Sequence, residues 1–532
     1  MSRVILIAWD GADWRILDPL LEQGALPNLQ ALIDRGQKDV LRSTVPTHSW
    51  SAWPSFLTGV DPVDHGIYDI LETVPGTHKQ YPVTYKSIKA RTFLDDLTAA
   101  GKKQLLLDVP LTFPAPQPFD GNLLAGGVLP KGRTFTSPAD LPDTLAKANL
   151  EWPINGMSWT TYHNKIEPYL EEVHRVTKPR IAASEKLIDE TDWDVATFVY
   201  FSTDRVQHCL SEFLSNDHPD YATNTKTPTA EKIRDVYRML DENLGALVSR
   251  AREDDLVVFM SDHGFQSCTR ALNMDRLLSD LGFLQFSASQ AVYGPLQWGP
   301  VRAVARKVYD ALGLHGKVAL RQAVNWQKTR VYTSIRSTGE GVSVNLEGRE
   351  VNGIVKPEDY EKVRDEIAAK IEGFIDPVTG RSPVKKVWRR EELFKGKFLE
   401  SAPDLIFEPA PLYSLTHAKS SLEDADWVSG DHRIEGVIVA AGPRVAKDAF
   451  EQQPASLIDL APTILAAVDA PASVQHTGKV LQPLVGADAM VRAGDAAVEE
   501  PAVAIPGMGE AVVTDTEAGE MEEHLRGLGY LE

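Results

Sequence analysis

Short apolar runs recur along the chain, separated by loops and by segments of helical period. Val4–Ala8 is the first, and Gln104–Val109, Val195–Phe201, Leu256–Met260 and Val437–Ala441 follow. Runs of this length bounded by polar residues predict buried strands. Between them, Asn28–Ile33 has the pattern of a helix. So does the stretch bearing Ile233, Val236, Tyr237, Leu240, Leu244, Leu247 and Val248. Strands alternating with helices predict an α/β fold, with a mainly parallel sheet sandwiched by helices. No internal repeat is visible.

From about residue 276 to 427 the texture changes. A linker-like Ser287–Pro300 leads into a basic amphipathic segment, Val301–Arg330. A hairpin-like Gly341–Arg349, a charged helix over Pro357–Glu372 and a strand at Asp404–Phe407 come next. The expected organisation is a core of residues 1–275, an inserted α+β subdomain of 276–427, and a second part of the core at 428–485. Residues 486–532 form an acidic tail, expected to be mobile, with a short helix at Glu517–Leu528 that docks through Leu525, Leu528, Tyr530 and Leu531.

Composition narrows the function. The 532 residues are 43% apolar and 24% charged, an ordinary globular balance. The net charge of −20 disfavours binding to a nucleic-acid duplex or an anionic membrane surface, so an anionic substrate must be attracted locally. Eleven acids against two bases in residues 487–532 supply nearly half of that charge. Two cysteines, Cys209 and Cys268, provide no disulfide framework, which suits a reducing compartment. No apolar stretch reaches the roughly 18 residues of a spanning helix. The expectation is a soluble, cytoplasmic protein.

Carboxylates and imidazoles gather at the ends of the predicted strands. Asp10 follows the first, Asp204 and His208 the Val195 strand, and Asp262 and His263 the Leu256 strand, while His432 precedes the Val437 strand. Sites in parallel sheets collect at the carboxyl ends of strands. Asp204 and His208 are four apart, on one face of a helical turn. Singly, a strand-end Asp is usually a cap or turn residue. Together, oxygen and nitrogen donors without a thiolate set fit a divalent metal, zinc first and manganese second. The hydroxyl-rich loop Thr44–Gly59 reads either as a turn capping a helix from about Ser51 or as a nucleophilic hydroxyl at a helix N-terminus, where a phosphate is favoured.

The ordered set Asp10, Pro46-Thr47-His48-Ser49, Thr58-Gly59, His65-Gly66-Ile67, Asp204-x-x-x-His208, Asp262-His263-Gly264 and His432 resembles the alkaline phosphatase superfamily. Within it, the likeness is to the type I phosphodiesterase/nucleotide pyrophosphatase group and its bacterial phosphohydrolase or phosphomutase relatives. It spans roughly residues 3–270 and 428–485, including Asp459-Leu460-Ala461-Pro462-Thr463, and the closing Leu528-Gly529-Tyr530-Leu531 looks like the end of such chains. The resemblance implies two divalent metals: one on Asp204, His208 and His432, the other on Asp10, Asp262 and His263. It places Ser49 at the nucleophile position against the second metal. Two positions depart from the diesterase pattern. Ala52 stands where an Asn usually contacts a phosphate oxygen, and Gln207 replaces the usual Gly before the metal-binding His. Both bear on substrate range and neither on the metal chemistry.

The implied activity is hydrolysis of a small phosphate ester, a diester by preference, through a phosphoseryl intermediate. A phosphomonoesterase or phosphomutase of the same superfamily is the alternative, and an inactive phosphate-binding or scaffold module is the alternative of another class. A sulfatase would need Cys/Ser-x-Pro-x-Arg, and Ser49-Trp50-Ser51-Ala52-Trp53 lacks both the Pro and the Arg. Arg205 and Arg433 adjoin ligand positions and are candidates to contact the ester, against a surface salt-bridging role for each. His65 reads as a turn or supporting histidine and Cys209 as packing. The segment 301–330 is either a solvated amphipathic helix pair or a cationic cap that steers the substrate.

Overall fold

Val4–Trp9 is apolar at all six positions, and a strand with no polar face belongs inside a sheet covered on both sides. The computed structural model describes residues 2–154, 156–287, 324–416, 418, 420–426, 428–472, 476–486, 489–490 and 513–531. In it this strand is the centre of a nine-stranded sheet. In chain order the strands are β1 (Val4–Trp9), β2 (Gln37–Arg42), β3 (Gln104–Pro110), β4 (Gly121–Gly126), β5 (Thr136–Ser137), β6 (Val195–Tyr200), β7 (Leu256–Met260), β8 (Glu435–Ala441) and β9 (Ala455–Ser456). Across the sheet they run β9-β2-β8-β7-β1-β6-β3-β4-β5.

The five strands β7, β1, β6, β3 and β4 pair in parallel, so the fold is the expected α/β class. β8 is antiparallel to both neighbours, β2 and β7. Its first residues therefore lie at the edge where β1, β6 and β7 end. That reversal lets a residue before β8 join residues that follow the other strands.

Helices cover the sheet with their apolar stripes. Pro228–Val248 buries Ile233, Val236, Tyr237, Leu240, Leu244 and Leu247, as its periodicity requires. Trp9 at the end of β1 meets Phe259 edge-on at 5.0 Å. Four strands of the sheet, β2, β4, β5 and β9, escape a reading of apolar runs, as does Gly264–Leu272. β2, Gln-Lys-Asp-Val-Leu-Arg, keeps most of its residues wholly or partly exposed, and Gly264–Leu272 pairs outside the large sheet.

A second sheet, ordered Val331–Ile335, Gly341–Val344, Leu405–Pro409 and Val384–Arg389, is antiparallel throughout. Helix Tyr360–Glu372 lays Val363, Ile367 and Ile371 against it, in an apolar cluster separate from the main core. Here two expectations shift. Gly341–Val344 pairs back onto Val331–Ile335, so the hairpin turn is 336–340 and not within 341–349. The charged helix opens with a 3₁₀ turn at Pro357–Asp359. Most of the basic segment, residues 301–323, lies outside the described residues, as does the linker from 288. Arg330 pairs with Glu366 at 3.0 Å.

The terminal helix, Asp515–Leu528, starts two residues before its expected position because Thr514 and Glu517 form a capping box. It docks through Met521, Leu525, Tyr530 and Leu531, all buried, with Leu528 partly so. The stretch 491–512, on which the expectation of a mobile tail rests, lies outside the described residues. Among the described residues, no helix is long and apolar enough to cross a membrane.

Leu6 sits in β1 opposite Thr197 and Val258 and is fully buried. Leu6→Ala should cost about 2–5 kcal/mol in urea unfolding, the range for cutting a close-packed leucine. A loss below about 1 kcal/mol would contradict the central placement of β1.

Candidate metal centre

Asp10 is the first residue after β1, and Asp262 and His263 come just after β7. The helix α1 (Ser49–Thr58) begins at Ser49, earlier than the Ser51 expected from the loop. Asp204 lies in the first turn of α2 (Ser202–Leu214), which starts right after β6, and His208 is one turn further on. His432 comes from the short strand Gly430–Arg433, which pairs with Gly264–Leu272 and sets His432 opposite Phe265.

These residues form two triads, in each of which one donor atom per residue lies within 4.8 Å of the others. Asp204 Oδ1 is 3.3 Å from His208 Nε2 and 3.5 Å from His432 Nε2. Asp262 Oδ2 and Asp10 Oδ1 are 3.4 and 3.7 Å from His263 Nε2. The rings of His263 and His432 are 4.1 Å apart, so the triads adjoin. Ser49 Oγ lies 3.2 Å from Asp10 Oδ1 and 3.1 Å from His263 Nε2.

Two of the three imidazoles are oriented by backbone carbonyls. His208 Nδ1 is 3.1 Å from Gly430 O and His263 Nδ1 is 3.1 Å from Gly264 O. A carbonyl only accepts, so each Nδ1 bears the hydrogen and each Nε2 turns its lone pair into the site. The carboxylates are braced as well. Trp53 Nε1 donates to Asp10 Oδ2 at 3.0 Å, and Gly11 N donates to Asp262 Oδ1 at 3.2 Å. Gln207 Nε2 donates to Gly11 O at 2.6 Å and accepts at Oε1 from the Tyr237 hydroxyl at 3.2 Å. Gly11 itself has φ +68°, and a Cβ there would meet the Phe265 ring at 2.7 Å, so only glycine fits this approach. Trp53 is four residues after Ser49, and that spacing marks it as a residue on the same helical face as Ser49. The brace made by Gln207 has no such local signal.

The donor set fits divalent cations. Asp204 Oδ1 and Asp262 Oδ2 are buried and have no hydrogen bond to a described residue. His208 Nε2 and His432 Nε2 face each other at 2.9 Å, an approach that needs a shared proton or a cation. Burial, with repulsion from Asp262 and Asp204, pushes the Asp10 carboxyl well above its ordinary range. Burial, reinforced by Asp204, pushes Asp262 up to about 8 despite the Gly11 N–H. Burial works the same way on Asp204, but His208 and Arg205 outweigh it and hold that carboxyl well down. Burial and His263 keep His432 neutral. Three carboxylates charged together here call for positive charge beyond that of Arg205.

The other candidate residues sort themselves by contact. Arg205 is buried, not on the surface, with Nη2 3.3 Å from Asp204 Oδ2. Arg433 is half-buried and pairs with Glu435 at 2.7 Å and Asp13 at 3.6 Å, both outside the triads. His65 lies in a turn, its Nδ1 accepting from Ile67 N and its Nε2 donating to Ser55 Oγ. Cys209 is buried against the Tyr169 hydroxyl, and burial pushes its thiol up. Ala52 is fully buried on α1.

Solved structures share this architecture. The phosphonoacetate hydrolase of Sinorhizobium meliloti 1021, in complex with phosphonoacetate, superposes with a TM-score of 0.54 at 14% identity, over 88% of this chain and 95% of that one. An inactive variant of murine ectonucleotide pyrophosphatase/phosphodiesterase 5, in complex with AMP, gives 0.52 at 13% identity, over 91% and 100%. At these identities the likeness is one of fold. No curated protein matches the chain in sequence. The family described as Type I phosphodiesterase / nucleotide pyrophosphatase matches residues 4–435, a span that contains Ser49 and both triads. The chain belongs to that family.

Burial of the carboxyls has a consequence for stability. In the metal-free protein, a carboxyl raised to about 8 by folding stays protonated while the unfolded chain's is ionised, so stability falls as pH rises toward 8. The buried neutral imidazoles His48 and His65, lowered to about 4 and about 3, act in the opposite sense only below about 6.5. Chelator-treated protein should therefore melt at lower temperature at pH 8 than at pH 6.5, and Asp262→Asn should flatten that slope. A wild-type melting temperature that holds or rises over this window would contradict the assignment.

Proposed function

We propose that this chain, a phosphoester hydrolase by family, works through Ser49 at a site that takes two divalent cations. Asp204, His208 and His432 would hold one, and Asp10, Asp262 and His263 the other. The observation behind this reading is that two adjoining triads are gathered from segments between Asp10 and His432, with one serine hydroxyl against the second of them. Oxygen and nitrogen donors without a thiolate favour zinc, then manganese. Bound there, such cations lower the pKa of an adjacent hydroxyl and offset the charge of a phosphate.

The chain's own residues do the rest. Ser49 is the first residue of α1, a ten-residue helix whose N-terminus favours an anion. Its hydroxyl lies 3.2 Å from Asp10 Oδ1 and 3.1 Å from His263 Nε2, which puts it beside the cation those two residues would hold. Ser49 Oγ attacks phosphorus; the Oγ–P bond forms as the bond to the leaving alcohol oxygen breaks, and the proton that the Ser49 hydroxyl gives up ends on the departing alcohol. Water then cleaves the seryl ester and restores Ser49. Trp53 and Gln207 keep Asp10 and Gly11 in place through both steps. The division into a core of 1–275 and 428–485, an insertion of 276–427 and a tail of 486–532 is part of this reading, and the separate apolar cluster of the second sheet supports it.

Family membership supports diesters over monoesters, and Ala52 and Gln207 make that order worth measuring. On matched aryl phosphates, the metal-loaded enzyme should show the higher kcat/KM on the diester. A monoester preference of roughly tenfold or more would reverse it. Ser49→Ala should lose turnover by about three orders of magnitude or more while keeping its cations, the scale of removing a nucleophile. Near-normal turnover in that variant would refute the role.

A further inference from the structure

The last residues of the chain reach the first triad. The Asp515–Leu528 helix, α3, is anchored at its start by Tyr81, whose hydroxyl donates to Asp515 at 2.5 Å, and near its end by Ser158, whose hydroxyl donates to Gly527 O at 3.0 Å. It ends in a left-handed cap. Gly529 has φ +93°, its N–H donates to Arg526 O at 3.1 Å, and the Tyr530 N–H donates to Leu525 O at 3.0 Å. That cap turns Tyr530 inward, where it is buried.

The Tyr530 hydroxyl accepts from Arg205 Nη2 and lies 3.4 Å from Asp204 Oδ2 as a donor. A phenol has one proton, so accepting from the guanidinium leaves that proton for the carboxylate. Arg205 also donates through Nη1 to Leu528 O at 3.4 Å, gripping the end of α3. The two oxygens of Asp204 are thereby divided. Oδ2 faces Arg205 and Tyr530, while Oδ1 is left to the imidazoles of His208 and His432. The Tyr530 ring also meets Trp50, the residue after Ser49, edge-on at 5.9 Å.

We propose that Tyr530 is a positioning residue of the Asp204–His208–His432 site, so that docking of the chain's end sets the affinity of that site for its cation. This rests on the reading of the triad as a metal site. It adds to that reading a residue beyond the span matched by the family. Hydrogen bonds that orient a ligating carboxylate commonly change metal affinity by about 10–100-fold.

The test is zinc binding to the full chain by competition with a chromophoric chelator. Wild type should take two equivalents. Tyr530→Phe, which keeps the ring against Trp50, should weaken one equivalent by about tenfold or more and leave the other unchanged. The melting temperature of its chelator-treated form should stay at the wild-type value. In a His432→Ala background, where the first site is already lost, Tyr530→Phe should have no effect on the remaining equivalent. Wild-type affinity at both sites in Tyr530→Phe overturns the proposal alone, and so does a fall at both sites together with the metal-free melting temperature. A wild-type protein that binds no zinc or manganese overturns the metal reading itself and this proposal with it.

Discussion

Three carboxylates, Asp10, Asp204 and Asp262, are fully buried side by side at one edge of a nine-stranded sheet. Removing a carboxylate from water is costly, and placing like charges together adds to that cost. Much of the surrounding architecture answers this constraint. Backbone and side-chain donors from Gly11, Trp53, Arg205 and Tyr530 each take a carboxylate oxygen. The imidazoles of His208 and His263 are turned by Gly430 and Gly264 so that their free nitrogens point to the remaining oxygens. What is left unmatched is compact and electron-rich, which suits a divalent cation.

The position of Ser49 depends on both parts of the molecule. The loop before α1 is braced by the second sheet, where Glu340 accepts from Thr47 N at 3.4 Å, two residues before Ser49. The same 336–340 turn is tied to the core through Asp69, which accepts from Arg336 N at 2.7 Å and Ser337 Oγ at 2.6 Å. His48 adds a contact to Tyr68 O at 3.0 Å. The loop that delivers Ser49 is thus fixed from the second sheet as well as by its own helix.

The parallel centre of the sheet was legible because its strands are apolar on both faces, and their ends gave Asp10, Asp204, Asp262 and His263. β2 was not legible, since Gln, Lys, Asp and Arg take four of its six positions and its Val40 is exposed. His432 was visible as a residue before a strand, but its arrival at the site depends on β8 running against its neighbours, which no local pattern encodes. The hairpin of the second sheet was misplaced because its first strand, Val331–Ile335, alternates in burial and gives no continuous apolar run. Arg205 illustrates a different limit. A charged residue beside a ligand reads as surface until a tyrosine 325 positions away proves to cover it. Gln207 and Tyr530 are long-range in the same way: their chemistry comes from what the fold brings to them.

The most direct test of the central claim is anomalous diffraction at the zinc absorption edge, from crystals of the full chain grown with zinc. The account predicts two peaks about 4 Å apart, the usual spacing of paired catalytic metals. One should be within bonding distance of Asp204, His208 and His432, and the other of Asp10, Asp262 and His263, with Ser49 beside the second. Zinc bound elsewhere, or no peak at the buried carboxylates, would contradict it.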